Sequence, residues 1–127
     1  MNVLLVEDEN ALADVIDRNL RARHYDVAVE ATAEGALLRM AELWPDVLVL
    51  DVNLPGLTGW EILRRLSAAD RARLGVIVIS AAPISQKRID EFRPARTLQK
   101  PFPIDALMRA VGQVAPATEP VGEKEES

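Results

Sequence analysis

The chain has 127 residues, of which 49% are hydrophobic and 28% are charged. This length and composition predict one globular domain, and they exclude a two-lobed enzyme and a disordered chain. The 15 Lys and Arg against 20 Asp and Glu give a formal net charge of -5. This acidic balance disfavours direct binding to nucleic acid, whose phosphates attract clustered Lys and Arg. The absence of cysteine excludes a disulfide framework and a thiolate metal site.

The sequence shows no signal for a membrane or for export. Its longest apolar runs, such as residues 76–79, fall far short of the roughly 18 residues that a membrane span needs. The acidic residues Glu7 and Asp8 come too early for a secretory leader. We therefore expect a cytoplasmic protein that makes no membrane contact.

In the first half of the chain, apolar strands alternate with amphipathic helices. Residues 3–6 form a continuous apolar run, typical of a strand buried on both faces. Residues 25–30 alternate in polarity and predict an edge strand. Asn10 and Thr32 are the predicted N-caps of the two helices. The apolar faces of these helices are Leu12, Val15, Ile16 and Leu20 in the first, and Ala36, Leu37, Met40 and Ala41 in the second.

The second half repeats this pattern three times. Residues 47–50 and 76–79 predict two more central strands, and the weakly apolar residues 95–99 predict an edge strand. Thr58 and Glu61 have capping-box spacing at the start of a third helix. The expected buried positions of this third helix are Ile62, Leu63 and Leu66.

The last two predicted helices differ in length. The fourth is short, because Ser85 can cap its start and Pro94 limits its end. The fifth begins at Pro103, a residue suited to the first helical turn. Its apolar face consists of Ile104, Leu107, Met108 and Val111. Five strand and helix units predict an α/β domain with a parallel sheet over residues 1–115, followed by an acidic, flexible, solvated tail over residues 116–127.

Polar or charged residues follow four of the five predicted strands. Glu7 and Asp8 follow the first strand, Asp51 the third, Ser80 the fourth and Lys100 the fifth. Ligands of open α/β sheets bind at the carboxyl ends of the strands, so we expect these side chains to share one site. Carboxylates held together repel one another, and a hard cation such as Mg²⁺ relieves that repulsion. A carboxylate nucleophile, a metal, a lysine and a hydroxyl are the parts of an aspartyl-phosphate site.

Four segments together resemble the receiver domain of two-component response regulators. They are residues 3–8 (VLLVED), residues 51–56 (DVNLPG) with Gly59, residues 78–81 (VISA) and residues 100–102 (KPF). The resemblance extends from Asn2 to about Ala115. It implies a flavodoxin-like, doubly wound (βα)5 sandwich with strand order 2-1-3-4-5, which agrees with the predicted edge strands.

The resemblance also implies the role of each residue near the phosphorylation site. Asp51 would be the phosphoacceptor and a metal ligand. Asp8 would bind Mg²⁺ directly, Glu7 through water, and Asn53 through its backbone carbonyl. The phosphoryl group would come from a sensor histidine kinase or a phosphotransfer protein.

Further roles follow from the same resemblance. Ser80 would hydrogen-bond to the phosphoryl group and Lys100 would pair with it. Asn53 and Ala82 would flank the path of the hydrolytic water. The peptide bond between Lys100 and Pro101 is expected to be cis. The receiver would catalyse its own phosphorylation and dephosphorylation and would signal through a downstream effector protein, and a homodimer is compatible with this reading.

Two positions depart from the family pattern. Receivers commonly carry Tyr or Phe three residues before the lysine, whereas this chain has Thr97. The segment Arg93-Pro94-Ala95 replaces the usual Gly-Ala after a shortened fourth helix. Both changes affect the surface through which receivers usually signal.

Two alternatives remain open at this point. One is a receiver-like adaptor that works independently of phosphorylation, and Thr97 favours it. The other is a small aspartate-nucleophile phosphatase of the haloacid dehalogenase type. Enzymes of that type also use an Asp, a Ser or Thr, a Lys and Mg²⁺. In that family the nucleophile follows the first strand, whereas Asp51 follows the third predicted strand. We interpret His24 as a solvated residue at a helix end, and Trp44 and Trp60 as half-buried core residues.

Overall fold

The structure, a computed structural model, describes residues 1–114. Its strands are β1 (Asn2–Val6), β2 (Asp26–Glu30), β3 (Val47–Asp51), β4 (Gly75–Ser80) and β5 (Arg96–Gln99). Its helices are α1 (Asn10–Ala22), α2 (Ala33–Glu42), α3 (Gly59–Arg64), α4 (Ala68–Ala72), α5 (Gln86–Phe92) and α6 (Ile104–Val114). The predicted tail, residues 116–127, lies outside the described residues. No helix within residues 1–114 combines the length and apolarity that a membrane span requires.

The five strands form one parallel sheet in the order β2-β1-β3-β4-β5, which confirms the predicted fold class. The central strands β3 and β4 are buried along their whole length, whereas β2 and β5 are partly exposed edges. Helices α2, α3 and α5 cover one face of the sheet, and α1 and α6 cover the other. The continuous apolar runs mark strands covered on both faces, because each of their side chains meets a helix layer.

The structure has two helices between β3 and β4, α3 and α4, where the sequence predicted one. The Ser67 hydroxyl accepts a hydrogen bond of 3.0 Å from the backbone nitrogen of Asp70 and so caps a separate short helix. Leu66, predicted on the face of the third helix, lies after the end of α3 and is half-buried. The sequence signal for α4 is Ser67 followed three residues later by an acidic residue.

Of the four predicted helix caps, two form as expected, one has the correct position without its hydrogen bond, and one is wrong. Thr32 and Ser85 accept hydrogen bonds from backbone nitrogens of α2 and α5, as expected. Asn10 is the first residue of α1 and not its N-cap, because the chain turns directly after β1 and the Glu9 nitrogen donates to Glu7 at 3.1 Å. Thr58 occupies the N-cap position of α3, but its hydroxyl accepts no helix hydrogen bond.

The other residues singled out in the sequence mostly have the predicted exposure, with two differences at Glu61 and Val15. The Glu61 carboxylate pairs with Arg64 instead of returning to the helix start. His24 is exposed at the end of α1, as expected, with a left-handed φ of 69°. Trp44 and Trp60 are both half-buried, as expected. Val15, which we predicted on the apolar face of α1, is 40% exposed.

Gly59 brings α3 into close contact with the end of β3. A Cβ atom at this position would lie 2.6 Å from the Asp51 carbonyl oxygen and 2.8 Å from the Val52 Cα. No side chain fits at these distances, so glycine allows the start of α3 to lie against the strand that carries Asp51. The Gly59 nitrogen also donates a hydrogen bond of 3.3 Å to the Val52 carbonyl.

Candidate functional site

The carboxyl ends of four strands bring together the side chains that the sequence analysis selected. Glu7 follows β1, Asp51 ends β3, Ser80 ends β4 and Lys100 follows β5. Glu7, Asp51 and Ser80 are buried, whereas Asp8 is exposed beside them. Because all strands are parallel, their carboxyl ends lie at one edge of the sheet and form one pocket.

Lys100 is the basic centre of this pocket. Its Nζ atom lies 3.1 Å from Oδ2 of Asp51 and 3.2 Å from Oε1 of Glu7. Glu9, which the sequence analysis did not select, approaches the same ammonium at 3.5 Å. The signal that identifies Glu9 is its place in the acidic run Glu7-Asp8-Glu9 directly after a buried strand.

The acidic side of the pocket fits a hard divalent cation. Carboxylate oxygens of Glu7, Asp8 and Asp51 lie within 4.8 Å of one another. Oε1 of Glu7 is buried and accepts no hydrogen bond within residues 1–114. Three carboxylates against one close lysine leave an excess of negative charge. Oxygen ligands with room for waters suit Mg²⁺, so these residues fit that ion.

The pKa values of Glu7 and Lys100 respond to this crowding. Burial, followed by the hydrogen bond and the negative charge of Asp51, raises the pKa of Glu7 to about 7. Burial lowers the pKa of Lys100, but the hydrogen bond and negative charge of Asp51, together with Glu7, outweigh burial and hold it above its usual value. Lys100 is therefore positively charged at neutral pH, while Glu7 gains and loses its proton in this range.

Backbone and amide hydrogen bonds fix the orientation of Asp51. Its Oδ1 accepts a hydrogen bond of 2.8 Å from the Asn53 backbone nitrogen, and its Oδ2 faces Lys100. The Asn53 side-chain oxygen accepts from the Ala81 nitrogen at 3.1 Å. Asn53 thus connects the loop after β3 with the loop after β4.

The Ser80 hydroxyl is engaged with its own loop. It donates to the Ala82 carbonyl at 2.6 Å and accepts from the Ala82 nitrogen at 3.1 Å. Thr97 is exposed on β5 and pairs in register with Val78. The Lys100–Pro101 peptide bond is cis, as the resemblance implies.

The comparisons with known proteins decide the family. The model of the family "Response regulator receiver domain" matches residues 3–112. The chain belongs to this family. The phosphate regulon transcriptional regulatory protein PhoB of Rhizobium meliloti is 33% identical to the chain over 112 residues, which cover 86% of this chain and 49% of that protein. The chain thus spans about half the length of that relative.

Solved receiver structures share the fold. A response regulator from Chloroflexus aurantiacus superposes with a TM-score of 0.78 at 27% identity, covering 90% of this receiver and 96% of that chain. The response regulator TrrA from Thermotoga maritima, solved in complex with Mg²⁺ and BeF, superposes with a TM-score of 0.77 at 20% identity, covering 89% and 97%. These matches agree with the sheet order and with a response regulator receiver of two-component systems.

Proposed function

We propose that this receiver is phosphorylated on Asp51, with Mg²⁺ held by Glu7, Asp8, Asp51 and the Asn53 backbone carbonyl. The observation that carries the proposal is the buried Asp51 carboxylate, placed between Lys100 at 3.1 Å and the carboxylates of Glu7 and Asp8. The position of Asp51 after β3, together with the family match, favours a receiver over an aspartate-nucleophile phosphatase.

The transfer uses groups that already lie at the pocket. A carboxylate oxygen of Asp51 attacks the phosphorus of a phosphohistidine, and the P–N bond breaks. Its electron pair stays on the imidazole nitrogen, which leaves as neutral imidazole because the other ring nitrogen already carries a proton. Glu7, Asp8 and Asp51 would hold Mg²⁺, which would neutralise charge on the phosphoryl oxygens. Lys100 moves from the carboxylate to a phosphoryl oxygen, a step of only a few ångströms because its ammonium already contacts Asp51. The Ser80 hydroxyl rotates from the Ala82 carbonyl to another phosphoryl oxygen.

A groove beside the pocket supports a protein as the phosphoryl donor. The groove has a volume of about 550 Å³, and its apolar lining adjoins Lys100. It is lined by Glu9, Ala11, Leu12, Val15, Lys100, Pro101 and Phe102. An apolar groove next to a charged site suits a helix that carries a histidine on its surface. We infer that a histidine kinase or phosphotransfer protein is the phosphoryl donor. A second protein is the downstream effector.

Intact mass spectrometry after incubation with acetyl phosphate tests the proposal. The wild type and Asp105→Asn, a control at an exposed carboxylate of α6, are expected to gain one phosphoryl group with Mg²⁺ and none with EDTA. Asp51→Asn is expected to gain none. An adduct that persists in Asp51→Asn would contradict the assignment.

One observation keeps the adaptor function in consideration as a second candidate. Thr97 is exposed on β5 and has no ring to couple Ser80 to the surface. Amide exchange with and without beryllofluoride separates the two functions. A response confined to the Asp51 pocket favours an adaptor, and a response that reaches residues 84–97 favours a phosphorylation switch.

A further inference from the structure

One surface of this acidic chain is basic. Residues 61–96 contain eight Lys and Arg against four Asp and Glu, whereas the other residues contain seven against sixteen. The charged residues of this stretch belong to α3, α4, α5, their flanking residues and the start of β5. Such a separation of charge attracts an acidic segment to this surface.

A cleft of about 250 Å³ lies in this basic surface, between α4 and the end of α5. It is lined by Ala68, Arg71, Ala72, Glu91, Phe92 and Arg93. Glu91 is already paired with Arg64 at 3.0 Å and with Arg88 at 3.2 Å. Among the ion pairs of residues 1–114, none includes Arg71 or Arg93. The Arg71 guanidinium lies over the Phe92 ring at 5.6 Å, which holds it at the cleft.

Arg93 occupies this cleft in an unfavourable backbone conformation. Its φ is 47°, in the left-handed region, and its nitrogen donates to the Ile89 carbonyl at 2.8 Å. This conformation costs a residue with a Cβ about 1 kcal/mol, and glycine would avoid the cost. Arg93 thus places a guanidinium at the cleft from a backbone position that favours glycine.

The end of α6 contacts the starts of β4 and β5, the two strands that follow the arginines of this cleft. The Val114 carbonyl lies against Gly75, where a Cβ would be only 2.6 Å from it. The Arg96 guanidinium donates to the Gln113 side chain at 3.1 Å. Gly75 follows shortly after the arginine-bearing α4, and Arg96 follows shortly after Arg93. The last two described residues, Gln113 and Val114, therefore contact residues that lie three positions after Arg93 and four positions after Arg71.

The residues that follow have the complementary charge. Residues 115–127 contain four glutamates and one lysine. Glu119 is five residues beyond Val114, a reach of about 16 Å, and the last glutamates reach about 40 Å. Because this acidic segment is covalently tethered to the domain, its effective concentration at the cleft is in the millimolar range. Weak contacts between its carboxylates and the arginines are therefore sufficient for docking.

We propose that the acidic segment of residues 115–127 docks on the cleft of Arg71 and Arg93, with its glutamates paired to these two guanidiniums. The segment then covers α4 and the end of α5, and an acidic partner protein has to displace it to reach this surface. The proposal does not depend on phosphorylation of Asp51.

A spin label tests the docking directly, because the chain has no cysteine of its own. The variant Ser127→Cys carries a nitroxide, and paramagnetic broadening of backbone amides is measured by NMR. Broadening is expected at residues 68–73 and 91–96. It is expected to disappear near 0.5 M salt, where the Debye length falls to about 4 Å.

Charge variants decide whether the glutamates and the two arginines are responsible. In the labelled chain, the combined change of Glu119, Glu123, Glu125 and Glu126 to Gln is expected to abolish the broadening. Arg71→Gln with Arg93→Gln is expected to do the same. The matched pair Arg18→Gln with Arg23→Gln, two exposed arginines of α1 and its end, is expected to leave it unchanged.

Two results would overturn the proposal. One is broadening that is spread evenly over the molecule or survives the four Glu→Gln changes. The other is an absence of broadening while an added polyglutamate peptide shifts the amides of residues 68–73 and 91–96. That second result would assign the cleft to an acidic partner in trans.

Discussion

At the scale of single residues, the pocket holds more negative charge than Lys100 compensates. Glu7 is only 1% exposed and shares Lys100 with Asp51. The raised pKa of Glu7 is the measurable sign of this imbalance. The same imbalance would favour binding of a cation, because a cation would relieve the repulsion among these carboxylates.

The raised pKa of Glu7 predicts how stability depends on pH in the metal-free protein. The folded pKa of about 7 lies above the ordinary value of 4.5, so the folded state binds the proton more tightly than the unfolded state. The stabilising contribution is complete below pH 4.5 and is lost as the pH rises toward and through 7. In EDTA, Glu7→Gln is expected to remove this loss, as measured by urea unfolding at pH 5, 6, 7 and 8. A constant difference between variant and wild type across this series would contradict the prediction.

The proposed phosphorylation of Asp51 gives Lys100 a separate predicted role. Lys100→Ala is expected to accept phosphate slowly, since Asp51 and the metal ligands remain. It is expected to lose the response of residues 84–97, because the lysine stabilises the phosphorylated arrangement. Amide exchange with and without beryllofluoride measures this response. A normal response in Lys100→Ala would show that the assigned role is wrong.

At the scale of elements, the position of Asp51 depends on the close packing of α3 against β3. Gly59→Ala places a methyl group 2.6 Å from the Asp51 carbonyl oxygen and is expected to destabilise the fold by about 1–3 kcal/mol. Gly112→Ala is the matched control, because a Cβ at this exposed position of α6 has no atom within 4 Å. It is expected to stabilise the fold by about 0.5–1 kcal/mol through helix propensity. Urea unfolding measures the change in the free energy of unfolding for each variant. Equal changes in the two variants would disprove the steric argument.

The exposed part of α1 offers a second prediction at this scale. Val15 is 40% exposed and lines the groove beside Lys100. Val15→Lys is expected to slow phosphotransfer from a phosphohistidine protein about tenfold or more, which corresponds to about 1.4 kcal/mol. Leu38→Lys, at a 71% exposed position of α2, is the control and is expected to transfer normally. Acetyl phosphate should label both variants at the wild-type rate, and a slower reaction of Val15→Lys with this small donor would mean that the variant damages the pocket itself.

At the scale of the whole molecule, the sequence predicted the features that follow from burial. The apolar runs of β1, β3 and β4 predict strands between two helix layers, and the polarity of β2 and β5 places them at the edges. Polar residues directly after such strands meet at one edge of a parallel sheet. The grouping of Glu7, Asp51, Ser80 and Lys100 was therefore predictable without any contact information.

The features that the sequence did not predict depend on local chain paths. Asn10 failed as an N-cap because the turn after β1 is closed by the Glu7 carboxylate, which accepts from the Glu9 nitrogen. Helix α4 was missed because its length of five residues leaves no apolar period to recognise. Val15 has the helical spacing of an apolar face, but only part of that face packs against the sheet. Val15 therefore stays partly exposed.

The most direct test of the account is the chemical trapping of the phosphorylated residue. Reduction of an aspartyl phosphate with borohydride converts that aspartate to homoserine, which peptide mass spectrometry locates without any mutation. After incubation with acetyl phosphate and Mg²⁺, we expect homoserine at position 51 and unchanged residues at positions 7 and 8. No homoserine under conditions that label a control receiver, or homoserine at another position, would contradict the central claim that Asp51 is the phosphoacceptor.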